Sequence, residues 1–121
     1  MIETPVYLFA ALACEAKPLI AYFKLKKHTE ISAFAIYSNG SITLTVAGVG
    51  KSAMAAGVAY TLALFPAKTL AVLVNLGVAG HKTHELGHLF CAEKIIDQDS
   101  ARAYYPQLVA DLSCASAVMR T

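Results

Sequence analysis

Three short stretches of this 121-residue chain hold residue types that could do chemistry, and they compete for the reading. Gly50-Lys51-Ser52 has the form of the end of a GxxxxGK[ST] phosphate loop, but Thr45 stands where the first glycine belongs, which argues against a backbone wrapped around a triphosphate. Gly48-Val49-Gly50-Lys51-Ser52-Ala53 fits GxGxx[GA], a turn that aims backbone N–H groups and a helix N-terminus at an anion. A dinucleotide site also wants an acidic residue about 20 positions further on. No Asp or Glu occurs between Glu30 and Glu85, so the simpler reading is a tight strand-to-helix turn. His84-Glu85-Leu86-Gly87-His88 is HExxH, which on a helix would bring both imidazoles to one zinc and let Glu85 activate water. Gly87 weakens that helix, and Cys91 and Lys94 fill the positions that the extended HExxHxxGxxH form needs. His81 could add a ligand, but the expectation is a surface loop and no metal. A zinc peptidase using His84, Glu85 and His88 stays as an alternative.

The elements that would position these residues follow from apolar patterning. Val6–Leu12 is a continuous apolar run, suited to a strand buried on both faces. Glu15 to Phe23 reads as a helix with Pro18 in its first turns. Ile31–Ser38 and Ser41–Ala47 alternate as strands, and Asn39-Gly40 between them is a hairpin signal whose turn positions call for positive φ. Lys51–Leu64 reads as a helix closed by Pro66, with Met54, Val58, Thr61, Leu62 and Phe65 on one face. Gly57 and the many alanines suit a helix pressed close to a sheet. Leu70–Val74 is the most apolar strand and is expected to be central and parallel, with Asn75–Gly80 as a small-residue loop at its carboxyl end. Leu89–Asp97 is a further strand, and Leu108–Met119 reads as a helix or a frayed end. The order predicts an α/β fold, a three-layer αβα arrangement with a mixed, mostly parallel sheet. It also predicts one domain over 1–121, with 107–121 as a disordered or helical tail.

Composition excludes several classes. The chain is 57% hydrophobic and 15% charged, which is not the composition of a disordered segment. A net charge of +2 is too small for binding driven by phosphate neutralisation, so no nucleic-acid partner is expected. The basic run Lys24, Lys26, Lys27 and His28 reads as a solvated helix end. Ser52–Ala67 is uncharged but shorter than the ~18 apolar residues of a spanning helix, and no membrane association is expected. Val6–Ala13 before Cys14 looks faintly like a lipoprotein signal, but Glu3 and Pro5 sit where positive charge belongs. Three cysteines, Cys14, Cys91 and Cys114, are an odd count with no metal-type pairing, so reduced thiols and a cytoplasmic location are expected.

Taken in order, the segments resemble the amino-terminal half of the nucleoside phosphorylase superfamily, in particular its methylthioadenosine/S-adenosylhomocysteine nucleosidase branch. Ala11-Leu12-Ala13-Cys14-Glu15 falls where that family has its first strand and a loop ending in a functional Glu. Ala47-Gly48-Val49-Gly50-Lys51 falls on its (S/A)G(I/V)GK turn, and Asn75-Leu76-Gly77-Val78-Ala79-Gly80 on its NxGxAG loop. The following GD step is matched only in part by Gly87-His88. The resemblance runs from about Val6 to Asp99.

The resemblance implies cleavage of a purine nucleoside N-glycosidic bond. It implies Glu15 as the residue that positions or deprotonates the attacking water, although a carboxylate at a helix start also has a plain reason to be there. Leu12 and Val49 would line the ribose and 5′-substituent side, and Val78, Ala79 and Gly80 would lie against base and ribose. Val78 replaces a hydroxyl residue common in the nucleosidase branch. The Met-Glu pair that holds the ribose hydroxyls and the Asp that protonates the leaving base belong to the family's carboxyl-terminal half, and nothing here matches them. Asp97, Asp99 and Asp111 have other neighbours. No cofactor is expected, with phosphate as co-substrate only in a phosphorylase, for which Arg102 and Lys51 are the available cations. Hydrolysis is slightly favoured. A nucleoside is the expected small-molecule partner, and the chain is expected to form a homo-oligomer, a dimer first of all. The alternative is a non-catalytic module that binds a nucleoside or another subunit.

Overall fold

Strand β1 (Val6–Ala10) has no polar position, and a strand of that kind must be covered on both faces. The computed structural model, which describes residues 4–107 and 113–121, buries Tyr7, Leu8, Phe9 and Ala10 almost completely. The chain divides into two compact units, Met1–Ala79 and Gly80–Thr121.

In the first unit a five-stranded sheet runs in the order β2-β3-β4-β1-β5. Its other strands are β2 (Lys26–Lys27), β3 (Ala35–Ser38), β4 (Ile42–Val46) and β5 (Val72–Leu76). β1 is parallel to β4 and to β5, with Leu8 beside Leu44 and Val74, and Phe9 beside Thr45 and Asn75. β2, β3 and β4 pair antiparallel, so the sheet is mixed. Helix α1 is Ala13–Phe23 and helix α2 is Lys51–Leu64.

Alternation along the strands assigns the helices to opposite faces. Leu8, Ala10 and Leu44 cluster with Ala16 of α1, and Leu19, Ile20, Phe23, Val74 and Leu76 pack around them. Tyr7 and Thr45 point the other way: the Tyr7 hydroxyl donates to the Phe65 carbonyl just after α2, and Thr45 Oγ1 lies 2.7 Å from Thr61 Oγ1 of α2. Helix, sheet and helix thus form the expected three layers. The Thr61 hydroxyl donates to the Gly57 carbonyl at 2.7 Å, so the Thr45 hydroxyl donates to Thr61, and both side chains are fully buried and satisfied. Gly57 permits this contact, since a Cβ there would stand 2.7 Å from the Cβ of Ala47.

Three expectations change. β5 is parallel as expected, but it is an edge strand; the strand buried on both faces is β1, and Leu73 on the α2 side of β5 is exposed. The hairpin turn shifts by one residue, because Asn39 N donates to Ile42 O, which makes Gly40 and Ser41 its tip. Neither Asn39 nor Gly40 has positive φ; the Asn39 carboxamide oxygen instead accepts from the N–H groups of Ser41 and Ile42. The basic run is not simply a solvated helix end. Lys24 is the left-handed C-cap of α1 (φ 53°), Lys26 and Lys27 form β2, and His28 is partnered.

The second unit holds β6 (Phe90–Ile96), β7 (Ala103–Tyr104) and β8 (Ala115–Arg120), with β6 antiparallel to β7 and parallel to β8. Ala115–Arg120, expected as helical or frayed, is therefore a strand; its alternation is weak because most of its positions are exposed. The rest of that expected helix, at 108–112, lies outside the described residues. Asp97 shapes the turn before β7, accepting from Ser100 Oγ at 2.7 Å, so it is occupied as a turn residue. Among the described residues no helix is long and apolar enough to cross a membrane.

Candidate active site

Three parallel strands end on one side of the first sheet, and the loops after them converge there. The loop after β1 leads to α1 on one face, while the loop after β4 leads to α2 on the other. Neighbouring strands whose connections leave in opposite directions open a crevice at their carboxyl ends, the usual ligand position in open α/β sheets. Ala47 N donates to Ala10 O at 2.9 Å and Gly48 N to Ala11 O at 3.1 Å, which ties the glycine turn to the end of β1. Gly50 is the N-cap of α2 at φ 102°, a conformation that L side chains rarely adopt.

Glu15 links the other two loops. Leu12, the N-cap of α1, has no polar side chain, so the helix start is stabilised from inside: Glu15 Oε1 accepts from Leu12 N at 2.9 Å. Glu15 Oε2 accepts from Val78 N at 2.7 Å, across 63 residues of sequence. An ionised carboxylate offers about four lone-pair directions. Two are used here, and the others can accept from a water or a substrate hydroxyl. Gly77 allows the approach, since a Cβ there would lie 3.1 Å from Glu15 Oε2. An open hollow of about 280 Å³ is lined by Glu15, Pro18, Leu19, Leu76, Gly77 and Val78. A larger hollow of about 370 Å³, lined by Lys27, Thr29, Ile31, Ser32, Phe34 and Ala35, sits at the opposite edge of the sheet and has no carboxylate or imidazole in its wall. The site is assigned to the smaller one because the fixed carboxylate and the strand ends coincide there.

Of the expected site residues, Leu12 and Glu15 lie at the start of α1, just after β1, while Val49, Val78 and Ala79 lie on the loops after β4 and β5 of the first unit. Leu12 is 46% exposed, Val49 74% and Val78 89%, so their side chains are presented to solvent at the strand ends. Gly80 begins the second unit. The contact that sequence reasoning missed is the Val78 N–H on Glu15, a long-range backbone donor that no local pattern marks.

The histidine stretch is not a helix. His81 and His84 lie tilted against each other with ring centroids 4.1 Å apart, and His84 and His88 both pack on Phe90. Desolvation among these rings, and then the electrostatic influence of His81 and His88, hold His84 below its ordinary pKa of 6.5. Among the described residues no group of three or more His, Cys, Asp or Glu is placed to hold a metal ion. Cys14, Cys91 and Cys114 form no disulfide.

An open α/β sheet with a fixed carboxylate at its strand ends is the layout of a small-molecule crevice, and the fold is shared with solved nucleosidase structures. Solved structures similar to it include the 5′-methylthioadenosine/S-adenosylhomocysteine nucleosidase of Neisseria meningitidis bound to methylthio-immucillin-A, with TM-score 0.68, 21% identity, and 80% of this chain covering 43% of that one. The S-adenosylhomocysteine nucleosidase of Streptococcus pyogenes, bound to 5-methylthiotubericidin, matches with TM-score 0.70 and 19% identity, with 100% of this chain covering 64% of that one. A futalosine hydrolase of Helicobacter pylori matches with TM-score 0.67 and 15% identity, 80% of this chain covering 44% of that one. The chain thus spans between 43% and 64% of the length of these relatives. No family model and no curated protein sequence matches it.

Proposed function

We propose that this chain carries the sugar-facing, water-positioning part of a purine nucleoside hydrolase. The observation that carries the reading is the Glu15 carboxylate, held by Leu12 N and Val78 N at the carboxyl ends of parallel strands. Cleavage of an N-glycosidic bond builds positive charge at C1′ and leaves the base with an electron pair. A carboxylate fixed by two N–H groups can hold a water for attack at C1′ and accept its proton as the new C–O bond forms. Val49 and Leu12 would meet the sugar side, and Val78 and Ala79 the base and ribose. No residue here matches the Asp that the resemblance assigns to protonation of the leaving base.

Hydrolysis is favoured over phosphorolysis because the structural relatives named above are nucleosidases and a hydrolase. A module that binds a nucleoside or another subunit without turnover is the second reading, favoured by the missing Met-Glu and Asp matches. Self-association, as a dimer, is supported by the exposed Leu70 beside the open edge of β5 and by exposed Leu73 within it. A cytoplasmic location is consistent with the three unpaired thiols.

A base-release assay on 5′-methylthioadenosine and S-adenosylhomocysteine in phosphate-free buffer tests the reading. Adenine release that falls about 100-fold or more in Glu15→Gln supports hydrolysis through Glu15. Release that requires phosphate contradicts the hydrolytic reading. Saturable binding with no release moves the assignment to the binding module.

A further inference from the structure

A second set of chemistry-bearing side chains sits at the other edge of the sheet from β5. Ser38 ends β3, and His28 and Glu30 follow β2. β2 and β3 pair with Lys26 opposite Ser38 and Lys27 opposite Tyr37, and His28 N donates to Ile36 O at 2.9 Å to continue the ladder. His28 and Ser38 are therefore diagonal neighbours on one face, within side-chain reach. Ser38 Oγ lies 2.5 Å from His28 Nε2, and His28 Nδ1 lies 3.1 Å from Glu30 Oε1.

The hydrogen-bond network assigns the protons. An ionised carboxylate only accepts, so Nδ1 carries the ring proton and Nε2 presents its lone pair to the Ser38 hydroxyl. The Phe65 ring, with its centroid 5.0 Å away, packs on the imidazole and limits its rotation. A backbone hydrogen bond, and then the His28 contact, hold the Glu30 carboxyl below its ordinary value, so it is ionised at neutral pH. The His28 side chain is 25% exposed and that of Glu30 70%, which leaves the group open to small reagents.

We propose that Ser38, His28 and Glu30 form a nucleophile, base and orienting carboxylate that take an acyl group from small activated esters, independently of the nucleoside site. Hydroxyl, imidazole and carboxylate in that order are what activates a weak oxygen nucleophile. The Ser38 oxygen bonds to the ester carbonyl carbon while its proton passes to His28 Nε2. The tetrahedral adduct collapses, the carbon–oxygen bond to the leaving group breaks, and the alcohol or phenol departs with the His28 proton. Water then enters by the same route, giving its proton to His28 and releasing the acid, with Ser38 restored. Lys26, opposite Ser38 in the register, places a cation on the face where the oxyanion forms. Aryl esters are the expected class, since a good leaving group needs no shaped pocket.

The test is acylation by 4-nitrophenyl acetate, followed by nitrophenol release and by mass mapping of the acetyl group. The expected result is acetylation at Ser38, lost in Ser38→Ala and slowed about 100-fold in His28→Gln. Ser38→Cys retains acylation, Ser41→Ala leaves it unchanged, and circular dichroism confirms that each variant folds. Glu30→Gln acts through His28, so it lowers the pH of the acid limb of the rate profile, which loss of packing alone does not do. Acetyl groups on lysines or tyrosines in place of Ser38, or an acylation rate unaffected by His28→Gln, would overturn the proposal.

Discussion

Single side chains in this protein act by what they accept. Glu15 closes the first turn of α1 through Leu12 N and also anchors the loop after β5 through Val78 N, so one carboxylate fixes two of the three loops that converge at the strand ends. Its presence in the sequence was visible as a helix-start acid. Its role entered only through the motif order around it, because the Val78 donor lies 63 residues away. Glu30 gives a prediction at this scale. Its carboxyl is held below the ordinary value of 4.5 by a backbone hydrogen bond and by His28. A depressed carboxyl contributes stability above that ordinary value and loses it as the pH falls through the lower folded value. Urea midpoints measured from neutral pH down to about pH 3 should therefore fall more steeply for the wild type than for Glu30→Gln. The difference will be small because the group faces solvent.

Elements were legible where local pattern decides them. The bounds of α2 follow from the glycine turn before it and Pro66 after it, and β1 was readable as a run with no polar position. The position of β5 was not legible, because apolar content marks a strand but not its place in the sheet. Centrality belongs to β1, whose two parallel neighbours are distant in sequence. The hairpin slipped by one residue because the Asn39 side chain replaced the backbone turn that its type suggests. β8 has mostly exposed positions, so no period of two survives to announce it. The close approach at Gly57 was anticipated, and it yields a prediction. Gly57→Ala puts a methyl group 2.7 Å from the Cβ of Ala47, so helix and strand must separate, straining the Thr45–Thr61 bond as well. Chemical denaturation should show a loss of about 1–3 kcal/mol, in spite of alanine's better helix propensity. An unchanged or raised midpoint would mean that α2 does not press on β4 at this point.

At the scale of the molecule, the high apolar content reflects a sheet covered on both faces by helices, with an edge strand that still exposes Leu73. The fold is shared with nucleosidases of which the matched part is 43% in one case and 64% in another. The central claim is that a purine nucleoside seats against the strand ends at Glu15. The most direct measurement is an amide chemical-shift titration of the chain with 5′-methylthioadenosine. The account predicts saturable shifts centred on Leu12 and Val78, the two donors to Glu15, together with Val49, Gly50 and Ala79. Shifts centred on the hollow between Lys27 and Ala35, or none at the strand ends at high ligand concentration, would contradict it.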